Sequence, residues 1–147
     1  MSPDATARPA GHEDHNAALL ALRPLVPTEP ASAADAATVG QFLHATLRPV
    51  LKLQNGLLLA AVADFVLDHH IPLATASPID QQRLLAELLG RNTKMRYTVV
   101  GLITGMFTTE EYAFYRQHRS ELNRRLLELA HHRVLDQAPV IAAAFLG

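Results

Sequence analysis

The 147-residue chain contains no cysteine and no tryptophan, and only five Phe and three Tyr. Without cysteine there is no disulfide scaffold, no thiolate metal site and no cysteine nucleophile. Neither sign of charge is in excess: 13 Lys and Arg stand against 14 Asp and Glu, a formal charge of −1. That balance excludes a polycationic nucleic-acid tail, or an acidic solvating chain, as the whole of the protein. Long hydrophobic runs are missing as well. The most apolar stretch, Gly56 to Val66, is interrupted by Asp64 and falls short of the ~20 residues that cross a bilayer. The opening segment lacks a basic stretch followed by an apolar one, so no secretory signal is expected and the chain reads as cytoplasmic with no membrane span. No Gly-x-Ser-x-Gly elbow surrounds any of the serines, and no glycine-rich phosphate loop or dinucleotide fingerprint occurs. An enzyme is therefore not the favoured reading, and no cofactor is expected.

What the chain does have is helix-forming residues. Hydrophobic residues make up 49%, with Ala and Leu dominant and β-branched residues too scattered for alternating strands. The expected fold is all-α, a compact bundle of four to five helices over residues 32–136. It would be preceded by a disordered Pro/Ala-rich arm, residues 1–31, and followed by a short apolar tail, residues 137–147. Five of the nine prolines fall within the first 30 residues, and prolines at that density prevent helix propagation. Only residues 17–22 have the composition for a helical turn or a docking segment.

Local signals divide the bundle. A first helix is expected to start near Ser32 or Asp35 and to carry Val39, Phe42, Leu43 and Leu47 on one side until Pro49 breaks or kinks it. A second, about Val50 to His69, is apolar nearly all round and suits a bundle centre or an oligomer interface. Ser77-Pro78-Ile79-Asp80 is a helix start, with Ser as cap, Pro at the first position and an acid in the first turn. That third helix runs to Gly90, and Asn92 caps a fourth that ends near Phe107. Thr108 and Glu111 have capping-box spacing and open the longest helix, about Thr109 to Leu135, with a seam of Tyr112, Tyr115, Leu122, Leu126 and Leu129.

Several constellations bear on function. Gly101 and Gly105 lie one turn apart on the fourth helix, a spacing that lets a neighbouring backbone approach closely. Together with Val140, Ile141, Phe145 and Leu146 of the apolar tail, they are the interface candidates. Glu128 and His131 form an E-x-x-H step, and Asp64 and Asp68 sit four apart before His69 and His70. These could converge as metal ligands in a helical bundle, although no second E-x-x-H step is present. The charge is also uneven. Residues 91–133 carry eight Lys and Arg against four acids, whereas residues 1–90 carry five against nine. Arg91, Lys94, Arg96, Arg116, Arg119, Arg124, Arg125 and Arg133 could make a phosphate-binding face with Tyr112 and Tyr115 as stacking partners. Glu121 and Glu128 are however spaced to pair with Arg125 and Arg124, as on a solvated helix face. Two adjacent histidine pairs, His69-His70 and His131-His132, leave a pH-dependent assembly open.

The reading these features favour is a non-catalytic helical interaction module, a homo-oligomer or an adaptor or regulator, whose partner is another protein or a second copy. A metal-binding helical-bundle enzyme or sensor is the alternative from a different class. A nucleic-acid-binding regulator is the third reading, and the near-neutral charge argues against it.

Overall fold

The structure is a computed structural model and describes residues 12–24 and 38–146. All regular structure among them is helical. The elements are α1 (His12–Leu22), α2 (Val39–Phe42), a single π-turn (Leu43–Leu47), α3 (Arg48–Leu53), α4 (Asn55–Asp68), α5 (Pro78–Arg91), α6 (Thr93–Thr104), α7 (Thr109–Gln117), α8 (Arg119–Asp136) and α9 (Ala138–Phe145). The all-α class holds, but the division is finer than four to five helices. The proposed start near Ser32 or Asp35 lies outside the described residues; α2 is capped by Thr38, whose side chain accepts from the Gln41 amide.

Local capping signals are realised where the sequence places them. The Ser77 hydroxyl accepts from the Asp80 amide, and Pro78 occupies the first position of α5. Asn92 Oδ1 accepts from the Met95 amide at 2.8 Å. Thr108 and Glu111 satisfy each other's backbone amides in a complete capping box. Each such cap contributes about 1 kcal/mol by answering amides that the first turn leaves without partners.

Three expected continuities or breaks come out differently. Pro49 does not end its helix. The π-turn just before it, in which the Arg48 amide donates to Leu43 O, shifts the hydrogen-bond register one residue, so the ring of Pro49 is accommodated in the first turn of α3. The apolar second helix is in turn divided at Gln54, with a 63° bend between Val39–Leu53 and Asn55–Asp68. Both residues at the bend have tertiary partners: Gln54 Nε2 donates to Leu102 O at 2.9 Å, and Asn55 Nδ2 to Gln137 Oε1 at 2.9 Å. No single described helix is long and apolar enough to cross a membrane. The long helix from Thr109 breaks at His118 (φ −125°, ψ 30°), whose ring lies 4.5 Å from that of Phe114.

The end of α4 is a Schellman turn: Ile71 N donates to Val66 O and His70 N to Leu67 O. His70 takes the left-handed position at φ 53°, which glycine would occupy without steric cost.

The core forms from matching rows. Leu58, Leu59, Val62, Ala63 and Val66 of α4 face Met95, Val99 and Ile103 of α6 and Leu122, Leu126, Ala130 and Val134 of α8. Steps of three and four keep each row on one side of its helix. The outer arc of α4 (Leu57, Asp64, Leu67 and Asp68) is exposed, so the helix is not enclosed on all sides. The apolar tail forms α9 and packs on α4 and α5, with Ala138 and Ile141 in the core.

Aromatic side chains are scarce but concentrated. Phe42 contacts Phe107 edge-on at 5.5 Å and stacks with Phe114 at 4.9 Å, while Tyr115 meets Phe107 at 5.8 Å and Tyr112 at 5.4 Å. The cluster ties α2 to α7.

Within the segment expected to be an arm, residues 12–24 are ordered against this corner. Asn16 and Thr109 exchange two hydrogen bonds, Nδ2 to Oγ1 at 3.0 Å and the Thr109 amide to Oδ1 at 3.1 Å. Arg23 forms a bidentate ion pair with Glu111 and donates to Met106 O at 3.0 Å. Leu19 is buried.

Candidate functional site: the groove between α6 and α8

The widest concave surface among the described cavities follows from helix periodicity. On α6 the Met95–Val99–Ile103 row points inward, which places Arg96 and Val100 one step round and Tyr97 and Gly101 further out. On α8 the inward row is Leu122–Leu126–Ala130–Val134, so Asn123, Leu127 and His131 line the adjoining side. Ser120, Arg124 and Glu128 form the next row out. The two helices pack side by side, and two adjoining cavities open between them. One of about 180 Å³ is lined by Thr93, Arg96, Tyr97, Val100, Asn123 and Leu127. The other, about 510 Å³, shares Arg96, Asn123 and Leu127 and extends to Arg124, Glu128 and His131. Val100 and Leu127 supply the apolar floor. Tyr97 stands at the rim with 72% of its surface exposed.

Two features set the electrostatics. Arg124 Nη1 and Glu128 Oε1 pair at 3.2 Å on an exposed wall, an arrangement worth little in stability. His131 is half-buried, and its Nε2 is buried without a hydrogen-bond partner. Burial first, then the charges of Arg96 and His132, hold its pKa below the ordinary 6.5, so the ring is neutral at pH 7.

Among the described residues, no three His, Asp or Glu side chains come together in a way that could hold a metal ion. Glu128 and His131 do line one cavity, but Asp64 and Asp68 lie on the exposed outer arc of α4, whereas α4 meets α8 through its buried side. The four proposed ligands are therefore not assembled. The phosphate-binding face also loses a stacking platform. Tyr115 is buried, its hydroxyl donates to Asn123 Oδ1 at 2.7 Å, and Arg119 covers its ring at 5.6 Å. Arg91, Lys94, Arg116 and Arg125 are exposed.

The interface candidates separate into two groups. Ile141 is fully buried and Leu146 packs against the core, whereas Val140 and Phe145 face outward. Gly101 and Gly105 do not serve close packing inside the bundle as their spacing suggests. A Cβ added at Gly101 would meet nothing within 4 Å, and one at Gly105 would meet only the carbonyl of Gly101, at 2.9 Å. Gly101 instead leaves a bare stretch of helix one turn beyond Tyr97. Comparison with family models, curated proteins and solved structures yields no match.

Tyr97 is not among the candidates drawn from the sequence. The available signal was its position: it lies off the Met95–Val99–Ile103 row, so a helical face that buries that row leaves Tyr97 outside.

Proposed function

We propose that the protein is a non-catalytic helical interaction module that receives a helix of another protein chain in the α6–α8 groove, with a second copy of itself as the simplest occupant. The observation that carries this reading is the exposed Tyr97 at the rim of a groove floored by Val100 and Leu127, with the bare turn at Gly101 following it on the outer side of α6. Tyrosine and arginine are over-represented among residues that dominate binding energy, and apolar floors with polar rims are the usual anatomy of such contacts. Arg96, Arg124 and Glu128 supply the polar rim. The uneven charge, acidic in residues 1–90 and basic in residues 91–133, favours pairing between copies in opposite orientation.

Sedimentation equilibrium of the full chain and of two variants tests the proposal. Self-association is expected, with Tyr97→Ala weakening it at least tenfold, as for a residue worth about 2 kcal/mol. Gly101→Ala should raise the stability of the separated chain by about 0.5–1 kcal/mol yet weaken association, because the added methyl sits where a partner backbone approaches. A chain that stays monomeric to about 1 mM, the weakest association of practical interest, would remove the self-association reading.

A further inference from the structure

We propose that the cavity between α3 and α8, lined by Arg48, Lys52, His132, Arg133 and Asp136, is a binding site for a small phosphate-bearing anion. Arg48 and Lys52 are one turn apart on α3, and His132, Arg133 and Asp136 share the facing side of α8. Leu51 and Leu129 complete the lining of a cavity of about 270 Å³. That is just under the ~300 Å³ at which sites for larger organic ligands begin, and it suits a phosphate or the terminal group of a phosphorylated small molecule.

Charge selects the ligand class. Three permanent cations line the cavity, against the single carboxylate of Asp136. Arg23, Arg83 and Arg124 all have carboxylate partners within 4.0 Å, whereas none of the ion pairs among the described residues involves Arg48, Lys52 or Arg133.

Arg133 is instead held by neutral amides. Its Nη1 donates to Asn55 Oδ1 at 3.3 Å. Asn55 and Gln137 exchange amide bonds at 2.9 and 2.8 Å, and Gln137 Nε2 also donates to Arg133 O at 3.0 Å. This network fixes the guanidinium without neutralising it. Burial, followed by the charge of Arg48, lowers the pKa of Arg133; a guanidinium nevertheless keeps its proton, so the repulsion stays in the cavity until an anion relieves it. Two guanidinium groups and an ammonium match the several oxygens and double charge of a phosphate better than a lone carboxylate. The exposed arginines at 116, 119, 124 and 125 do not line the cavity, which favours one isolated phosphate over the backbone of a nucleic acid.

Calorimetric titration of the full chain with inorganic phosphate and pyrophosphate, against chloride at matched ionic strength, tests the site. Saturable pyrophosphate binding and a rise in Tm are expected. The Arg48→Ala/Lys52→Ala double variant changes two exposed side chains and should bind at least tenfold more weakly with its helical signal intact. Arg116→Ala/Arg125→Ala, two exposed arginines outside this cavity and outside the α6–α8 groove, should bind as wild type does. Absence of saturable binding, or equal loss in both double variants, would overturn the proposal. Binding of a short DNA duplex that depends on Arg48 and Lys52, with no binding of pyrophosphate, would also overturn it and assign the cavity to a nucleic-acid backbone.

Discussion

Arg23 and Glu111, 88 positions apart in the sequence, form a bidentate ion pair whose side chains are only 8% and 18% exposed. Glu111 also accepts from the Thr108 amide and from the Thr46 hydroxyl, at 2.9 and 3.1 Å. One carboxylate thus caps α7, anchors the segment that carries α1, and reaches back to the π-turn.

Arg23→Ala is expected to cost about 2–4 kcal/mol, because it leaves a half-buried carboxylate without its counter-charge. The pH dependence has a defined sign. Burial alone would raise the pKa of Glu111, but hydrogen bonds from Arg23 and the Thr108 amide, the Arg23 charge and the Thr46 hydroxyl together hold it below 4.5. Its contribution is therefore complete above about pH 4.5 and is lost as the pH falls through the lower folded value. Denaturant titrations at pH 7 and pH 3 check this: the gap between wild type and Glu111→Gln should narrow in acid, and a gap that stays constant would contradict the assignment.

His131 gives a second pH effect, at higher pH. Its imidazole is neutral in the folded chain, with a pKa depressed below 6.5 by burial, Arg96 and His132. The unfolded chain takes up the proton first, so this contribution declines as the pH falls from about 6.5 toward the folded value. NMR titration of the His131 ring should give a midpoint below 6.5, and Arg96→Gln should move it upward. A midpoint at or above 6.5 would show the ring to be better solvated than its surroundings imply.

Stability should divide the two faces of α9. Ile141→Ala removes a fully buried side chain and should cost about 2–4 kcal/mol, whereas Val140→Ser, on the outer face, should change stability by less than about 0.5 kcal/mol. Thermal denaturation of both variants makes the comparison. Equal, small effects would mean that α9 is not part of the cooperative unit.

Features set by neighbouring residues were legible in the sequence. Ser77, Asn92 and the Thr108–Glu111 box are stated within four residues of chain, and the structure uses each as written. The bends were not, because their partners lie far away: Gln54 finds Leu102 and Asn55 finds Gln137. Pro49 misled for a local reason, since the π-turn that accommodates it carries no strong sequence mark. At the site, Glu128 and His131 line one cavity, but the face of α4 that turns outward keeps Asp64 and Asp68 away from them. The cavity of Arg48, Lys52 and Arg133 was invisible in a list of basic residues, because its lining comes from two helices about 80 positions apart in the chain.

The distance between Arg23 and Glu111 also matters while the chain is being made. α1 has 11 residues, fewer than the ~12–15 that an isolated helix needs to persist in water. Its polar anchors, Met106, Thr109 and Glu111, are synthesised 83 to 93 residues after the groups they bind. At roughly 5–20 residues per second, the interval is about 4 to 19 s. Throughout it, α1 has none of these partners, and Leu19, buried in the folded chain, has no corner to pack against.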